Sequence, residues 1–239
     1  MRFLNQTVFV TGASRGIGLS IVKAFKSEGA RVIGTCTKKK SDDLGAFCDE
    51  LFEADFSDLI QIQNCASFLK RVKPDILINN AGINKISSLE EVSLEDFQSI
   101  QQVNVLAPFI LCQAAIPSMK LKGWGRIINV SSIWGKRGAS HRAAYSASKF
   151  ALDGLTVALA TEYAEKGIIA NCIAPGFIDT SLTRQILGEV GLQAAISRVP
   201  TRRLGTVKEV AGLVLWLASA DNTFVSGQNI SIDGGFSRA

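Results

Sequence analysis

Tyr145 and Lys149 stand four residues apart in a stretch whose apolar spacing reads as helix, so their side chains share one face. Such a pair can do acid–base chemistry. A phenol titrates at about 10, too high for efficient proton transfer at neutral pH, and an adjacent ammonium lowers that value by stabilising the phenolate. A β-branched run upstream ends in Ser131 and Ser132, where a hydroxyl can polarise a carbonyl oxygen. A third feature lies near the start of the chain, where Val8–Val10 runs through Thr11 into Gly12-Ala-Ser-Arg-Gly16-Ile-Gly18. Glycines at a strand-to-helix turn let the backbone approach a pyrophosphate, whose charge the helix N-terminus favours. Singly, each feature has a plainer reading: Tyr-x-x-x-Lys is common on exposed helices, paired serines cap turns, and glycines make turns. Together they describe a dinucleotide site beside a proton donor.

The elements that must position these groups alternate along the chain. Strands are expected at Thr7–Thr11, Arg31–Thr35, Leu51–Glu53, Asp75–Asn79, Arg126–Val130, Ile168–Ala174 and Asn229–Ile232. Helices are expected at about Ile17–Glu28, Ile60–Arg71, Leu94–Lys120, Ala143–Glu165 and Val207–Ala218. Ser93 is a candidate N-cap, and Thr206 with Glu209 has the spacing of a capping box. Strands apolar on both faces and alternating with helices imply a mostly parallel sheet covered on both sides. No repeat, low-complexity tract or linker interrupts the 239 residues, which reads as one α/β, doubly wound domain. The least regular segment, Gly176–Thr206, is the expected place for a mobile substrate lid.

Composition narrows the function classes. Hydrophobic residues make up 47% and charged residues 20%, so disorder is excluded. The five cysteines are scattered, which argues against a disulfide framework or a zinc site and for a reducing cytoplasm. The single histidine, His141, precludes a multi-His metal site. No signal-peptide pattern and no bilayer-length apolar run is evident, so a soluble cytoplasmic protein without a membrane partner is expected. The net charge of +5 is dispersed apart from Lys38–Lys40 and a loose set at Lys136, Arg137, His141 and Arg142. Without a basic stripe interleaved with aromatics, nucleic-acid binding is not expected.

The glycine spacing with its preceding threonine resembles the TGxxxGxG motif of the short-chain dehydrogenase/reductase family. The resemblance runs on through Asn79-Asn80-Ala81-Gly82, Asn104, Ser132, Tyr145-x-x-x-Lys149 and Pro175-Gly176, in the family's order and spacing. It implies a Rossmann-type domain with a seven-stranded sheet and a catalytic group of Asn104, Ser132, Tyr145 and Lys149. The thirteen-residue interval to Tyr145 then selects Ser132 over Ser131. Tyr145 would give a proton to the substrate oxygen, Ser132 would hold that oxygen, and Lys149 would also bind the nicotinamide ribose. Asn104 would hold a water that links the lysine to solvent. Pro108 has no N–H for the carbonyl four residues earlier, so the Asn104 carbonyl is expected to be free for that water. The cofactor set implied is Gly12, Ser14, Arg15, Gly16, Ile17, Gly18, Thr37, Lys38, Asp55, Asn80, Ala81, Gly82, Tyr145, Lys149, Pro175, Gly176, Ile178 and Thr180, with Asp55 against the adenine.

The second strand ends Gly34-Thr-Cys-Thr37-Lys38, with no carboxylate before Asp42. A carboxylate there would repel a 2′-phosphate, and Arg15 and Lys38 could attract one, so NADPH/NADP is expected over NADH. For Lys39 and Lys40 a solvated turn is the better reading. The pocket segments offer Ile83, Asn84, Ile133, Trp134 and Phe177, a mostly apolar lining with a packing alternative for Trp134 and Phe177. The nearest subfamily resemblance, carried by TGASRGIG, RVIGT, GRIINVSS, APGFIDT and RLGTVKEVAGLVLWLAS, is to 3-oxoacyl-[acyl-carrier-protein] reductases. Such an enzyme would meet an acidic acyl carrier protein through Lys120, Lys122, Lys136, Arg137 and Lys166. Gly123-Trp124 and Trp134-Gly-Lys-Arg depart from that subfamily, and sugar, polyol and secondary-alcohol dehydrogenases share the same motifs. A nucleotide sensor that had lost catalysis would lack the tyrosine or the lysine, and both are present. The family also implies a homotetramer built on the long helices Leu94–Lys120 and Ala143–Glu165, with Ala143, Ala144, Ala147, Ala151 and Gly154 permitting close approach.

Overall fold

Each central strand carries apolar side chains on both faces, and the two sets go to different cores. The computed structural model describes residues 1–38 and 45–239; Lys39, Lys40 and Asp42, named above, lie outside the described residues. The strands are β1 (Thr7–Val10), β2 (Arg31–Cys36), β3 (Glu50–Glu53), β4 (Ile76–Asn79), β5 (Gly125–Val130), β6 (Ile168–Pro175) and β7 (Asn229–Ile232). They form one parallel sheet in the order β3-β2-β1-β4-β5-β6-β7. The order reverses beside β1, between β1 and β4, and in open α/β sheets a ligand crevice opens there, past the carboxyl ends of the strands.

The helices are α1 (Gly16–Ser27), α2 (Leu59–Val72), α3 (Leu94–Gln101), α4 (Ala107–Lys122), α5 (Ala143–Tyr163), α6 (Ser181–Arg198) and α7 (Val207–Ala218). On one face Val8, Val10, Ile76, Ile78 and Ile128 pack with Ile21 and Phe25 of α1 and Val210 and Val214 of α7. On the other, Phe9, Leu77 and Ile127 pack with Ile62 of α2, Leu111 and Met119 of α4 and Leu159 of α5. This period of two is the sheet's own, and it assigns one layer of helices to each face. Leu94–Lys122 is long and apolar enough by composition to cross a membrane, yet more than half of its most apolar window is buried inside the fold. All five cysteines are buried.

The expected capping holds. Ser93 Oγ accepts the Asp96 N–H at 3.1 Å, and Thr206 and Glu209 form a reciprocal box. One expectation needs correction. Gly176–Thr206, read as the least regular segment, contains the helix α6. The helical region expected at Leu94–Lys120 carries a π-helical turn at Gln102–Leu106, around Asn104. In α6, Gly188 takes φ 60° and ψ 178°, which splits the helix into two segments. A left-handed φ there suits glycine, and the interruption hides the 3.6-residue period from a sequence reading.

Candidate active site

The glycine turn is fixed from both sides. Thr11 Oγ1 accepts the backbone N–H groups of Asn80 (3.0 Å) and Ala81 (2.9 Å), while Asn80 Nδ2 donates to the carbonyls of Thr11 and Gly12. The ends of β1 and β4 are thereby locked together beside the crevice. Gly18 brings α1 against this knot so closely that a Cβ would lie 2.2 Å from the Gly12 carbonyl oxygen and 2.5 Å from Asn80 Nδ2. Gly18→Ala is therefore expected to lower stability by roughly 1–3 kcal/mol through overpacking and to weaken dinucleotide binding. Denaturant melts and NADPH titration check this; a variant with wild-type values for both would contradict it.

A groove of about 560 Å³ runs past this turn, lined by Gly12, Ser14, Arg15, Gly16, Ile17, Gly18, Thr37, Asp55, Asn80, Ala81, Gly82 and Thr180 among others. Most of the expected cofactor set is thus brought together. Lys38 is exposed and is not among the lining residues. Asp55 is held by Ser57, whose N–H and Oγ both donate to Oδ1. Arg15 is exposed at the groove, and among the described residues it makes no ion pair. The cramped glycine turn, the cation and the absence of a carboxylate at the end of β2 all fit a dinucleotide that carries a 2′-phosphate.

This groove continues into a second cavity of about 400 Å³ that contains Ser132, Tyr145, Lys149, Asn84, Trp134, Pro175, Gly176, Phe177 and Ile178. The helix α5 carries Tyr145 and Lys149 and is tied to the sheet by a buried polar chain. Asn79 Nδ2 donates to Asn129 Oδ1 at 2.8 Å, and Asn129 Nδ2 donates to Thr156 Oγ1 at 2.7 Å. Ser131 Oγ donates to the Lys149 carbonyl at 3.1 Å, so this serine braces the helix, while Ser132 Oγ accepts the Trp134 N–H at 3.2 Å and shares the cavity with Tyr145. Lys149 is almost fully buried; its Nζ donates to the Val130 carbonyl at 2.8 Å and lies 5.6 Å from the Tyr145 ring centre. Burial lowers the Lys149 ammonium to about 8. Burial also pushes the Tyr145 phenol up, while the Ser132 hydrogen bond and the Arg142 charge pull it back.

Asn104 is fully buried and joins the loop after β4 to α5. Its Oδ1 accepts the Ile83 N–H and its Nδ2 donates to the Ile83 carbonyl, each at 2.9 Å. The same Nδ2 donates to Ser148 Oγ, which in turn donates to the Tyr145 carbonyl at 2.7 Å. The π-helical turn closes with the Ala107 N–H on the Gln102 carbonyl, five residues back, and Pro108 supplies no N–H for Asn104.

One substrate-side expectation changes. Ile133 points away from the cavity into a small core with Val199 and Phe236. Trp134 and Phe177 both line the cavity and meet Phe236 edge-on, at 5.8 and 5.1 Å between ring centres, so each has a packing role too. Sequence reasoning missed Leu182, Ile186 and Leu187 of α6 and Arg142, all of which line the cavity. The only signal for Arg142 was its position three residues before Tyr145. Trp124, noted as a departure, stacks on the buried Arg126 guanidinium, 4.5 Å from the ring centre.

A dinucleotide crevice at the strand-order reversal, with a tyrosine, lysine and serine at its inner end, defines an oxidoreductase. The chain belongs to the short-chain dehydrogenase/reductase family: residues 12–237 match a family model described as enoyl-(acyl carrier protein) reductase. It is 36% identical to the 3-oxoacyl-[acyl-carrier-protein] reductase FabG of Escherichia coli (strain K12) over 245 residues, covering 98% of each chain. Among solved structures it is similar to a gluconate 5-dehydrogenase from Burkholderia cenocepacia J2315 in complex with NADP and tartrate. That match has 30% identity and a TM-score of 0.92 and covers 100% of this chain and 97% of the other. A blue fluorescent protein from a metagenomic library, in complex with NADPH, is 34% identical with a TM-score of 0.90 and 99% of both chains covered.

Proposed function

We propose that this protein uses NADPH to reduce a ketone to a secondary alcohol. The observation that carries this is the placement of Tyr145, Ser132 and Lys149 in a cavity continuous with the glycine-turn groove. Gly12–Gly18 would cradle the pyrophosphate, and Arg15 would pair with the 2′-phosphate. Asp55 would face the adenine, and Lys149 the nicotinamide ribose. Bound there, the reduced nicotinamide supplies a hydride. Ser132 holds the carbonyl oxygen and polarises it, and Tyr145 protonates that oxygen. Lys149 keeps the phenol's proton available by favouring the phenolate once the proton has left. Asn104 fixes the helix that carries both residues and, through its carbonyl, would hold the water that reconnects them with solvent.

For the substrate, reduction of a 3-oxoacyl thioester is supported by the FabG relatives and by the apolar side chains Leu182, Ile186 and Leu187 on α6. The cations suited to an acyl carrier protein are partly engaged. Lys122 pairs with Asp75 at 2.5 Å, Lys136 donates to the Asn229 carbonyl at 2.6 Å, and Arg137 lies over Phe236. A second reading, a sugar, polyol or secondary-alcohol dehydrogenase, is favoured by the similarity to the gluconate 5-dehydrogenase structure. The split helix α6 would close over the bound substrate as a lid. A homotetramer in the cytoplasm suits the exposed Phe109, Phe150 and Val157 on α4 and α5, beside the small exposed Ala147, Ala151 and Gly154.

Following NADPH absorbance with acetoacetyl-CoA, a 3-oxoacyl carrier-protein thioester, sugar ketones and cyclic diketones tests the proposal. Turnover of the thioesters supports the acyl reading, and turnover of the other ketones alone moves the substrate to the sugar and polyol class. No turnover in the whole panel, with NADPH still bound, would make the protein a nucleotide sensor and end the reductase reading.

A further inference from the structure

Arg142 enters the reductive cavity with no partner of its own. It precedes α5, three residues before Tyr145, and is half-buried in the cavity wall. Its backbone is held on both sides: the Arg142 N–H donates to the Ala139 carbonyl, and the Ser146 N–H donates to the Arg142 carbonyl at 2.7 Å. His141, at φ 61°, passes its own carbonyl to the Ser87 N–H. The guanidinium, in contrast, makes no ion pair, hydrogen bond or ring contact among the described residues. Among the described residues, no aspartate or glutamate lines the cavity.

Half-removing a guanidinium from water without an acceptor is unfavourable, and burial accordingly lowers its affinity for the proton. An aliphatic acyl chain in this cavity would deepen that cost, because it displaces water and offers no acceptor. A carboxylate offsets it, since the planar fork of donors matches two carboxylate oxygens.

We infer that Arg142 binds the carboxylate of the substrate and selects a keto acid over a neutral ketone or an acyl thioester. This rests on the reductase reading and names its substrate class. The geometry explains how: a charge fixed beside Tyr145 orients the ketone of a short acid toward the proton donor.

Two matched pairs test it with NADPH: acetoacetate against ethyl acetoacetate, and 5-keto-D-gluconate against L-sorbose. The wild type is expected to favour the acid of each pair by about 10-fold or more in kcat/KM, equivalent to a single charged contact. Arg142→Gln should lower kcat/KM for the acid of each pair more than for its neutral partner and so abolish the preference, with Arg142→Lys between the two. A wild type that prefers the neutral partner, or a variant that loses acid and ester equally, overturns the inference. Turnover of none of the four ketones, nor of the thioester and diketone panel, would instead sink the reductase reading. Calorimetry with tartrate on the NADP-loaded protein then decides for Arg142: heat lost in Arg142→Gln supports the carboxylate site, and unchanged heat refutes it.

Discussion

Tyr145→Phe is expected to lower kcat/KM for ketone reduction by roughly 10³-fold, within the range that a positioned general acid contributes. The substitution removes one oxygen from a ring that is already packed, so NADPH affinity and melting temperature should remain close to wild type. Its pH behaviour is equally specific. Burial holds the phenol above its ordinary value, so the protonated donor persists through neutrality and reduction stays flat there, falling only on the alkaline side. Oxidation of the alcohol needs the phenolate and should rise with pH instead. A Tyr145→Phe variant that retained about a tenth of wild-type turnover, or the same alkaline limb, would remove Tyr145 from the role of proton donor.

Lys149→Met should abolish turnover and yet raise the melting temperature of the cofactor-free protein. Lys149 is 3% exposed, and burial lowers its ammonium from 10.5 to about 8. Below about 8 the lysine is charged in both folded and unfolded chains, and the folded state bears the desolvation cost in full. Above 10.5 it is neutral in both and the cost vanishes, so stability rises with pH between those values. A shift of that size corresponds to roughly 3 kcal/mol. Losing the hydrogen bond to the Val130 carbonyl returns about 1 kcal/mol of that. The net, about 2 kcal/mol, is worth roughly 4–8 °C in a domain of this size. Thermal melts at pH 7 and 10 check both parts: the gain should shrink at the higher pH. A lower melting temperature for the variant would show that Lys149 stabilises this fold and that the cost assigned to it is wrong.

These two residues were legible because the chemistry demands a type and a spacing at once. The sheet was legible for a related reason: Val8-Phe9-Val10 and Ile76-Leu77-Ile78 are apolar on both faces, which only a strand covered on both sides tolerates. Where the sequence misled, a tertiary contact outweighed the local pattern. Ile133 follows Ser132 immediately, but the short helical turn after Ser132 aims it at Val199 and Phe236. Lys38 has the right charge in the right turn, yet its chain position carries it out of the groove. Arg142 was grouped with the surface cations Lys136 and Arg137, because nothing in a run of basic residues tells which one turns inward. In α6, the Gly188 break and the exposed Leu182, Ile186 and Val190 erase the buried stripe that would have announced a helix.

The π-helical turn at Gln102–Leu106 also acts as a phase shifter. One residue beyond the regular repeat rotates everything after it by about 100° around the helix axis. Before the turn the helix looks toward α5; after it, the same helix looks toward α2 and the strands. Excising a single residue there, Val105 for instance, would leave each half a good helix but rotate one relative to the other. Either Asn104 would lose Ile83 and Ser148, or Leu111 and Met119 would leave the core. Asn104 and the hydrophobic layer are thus set to the same angular clock, and this short turn keeps them in time.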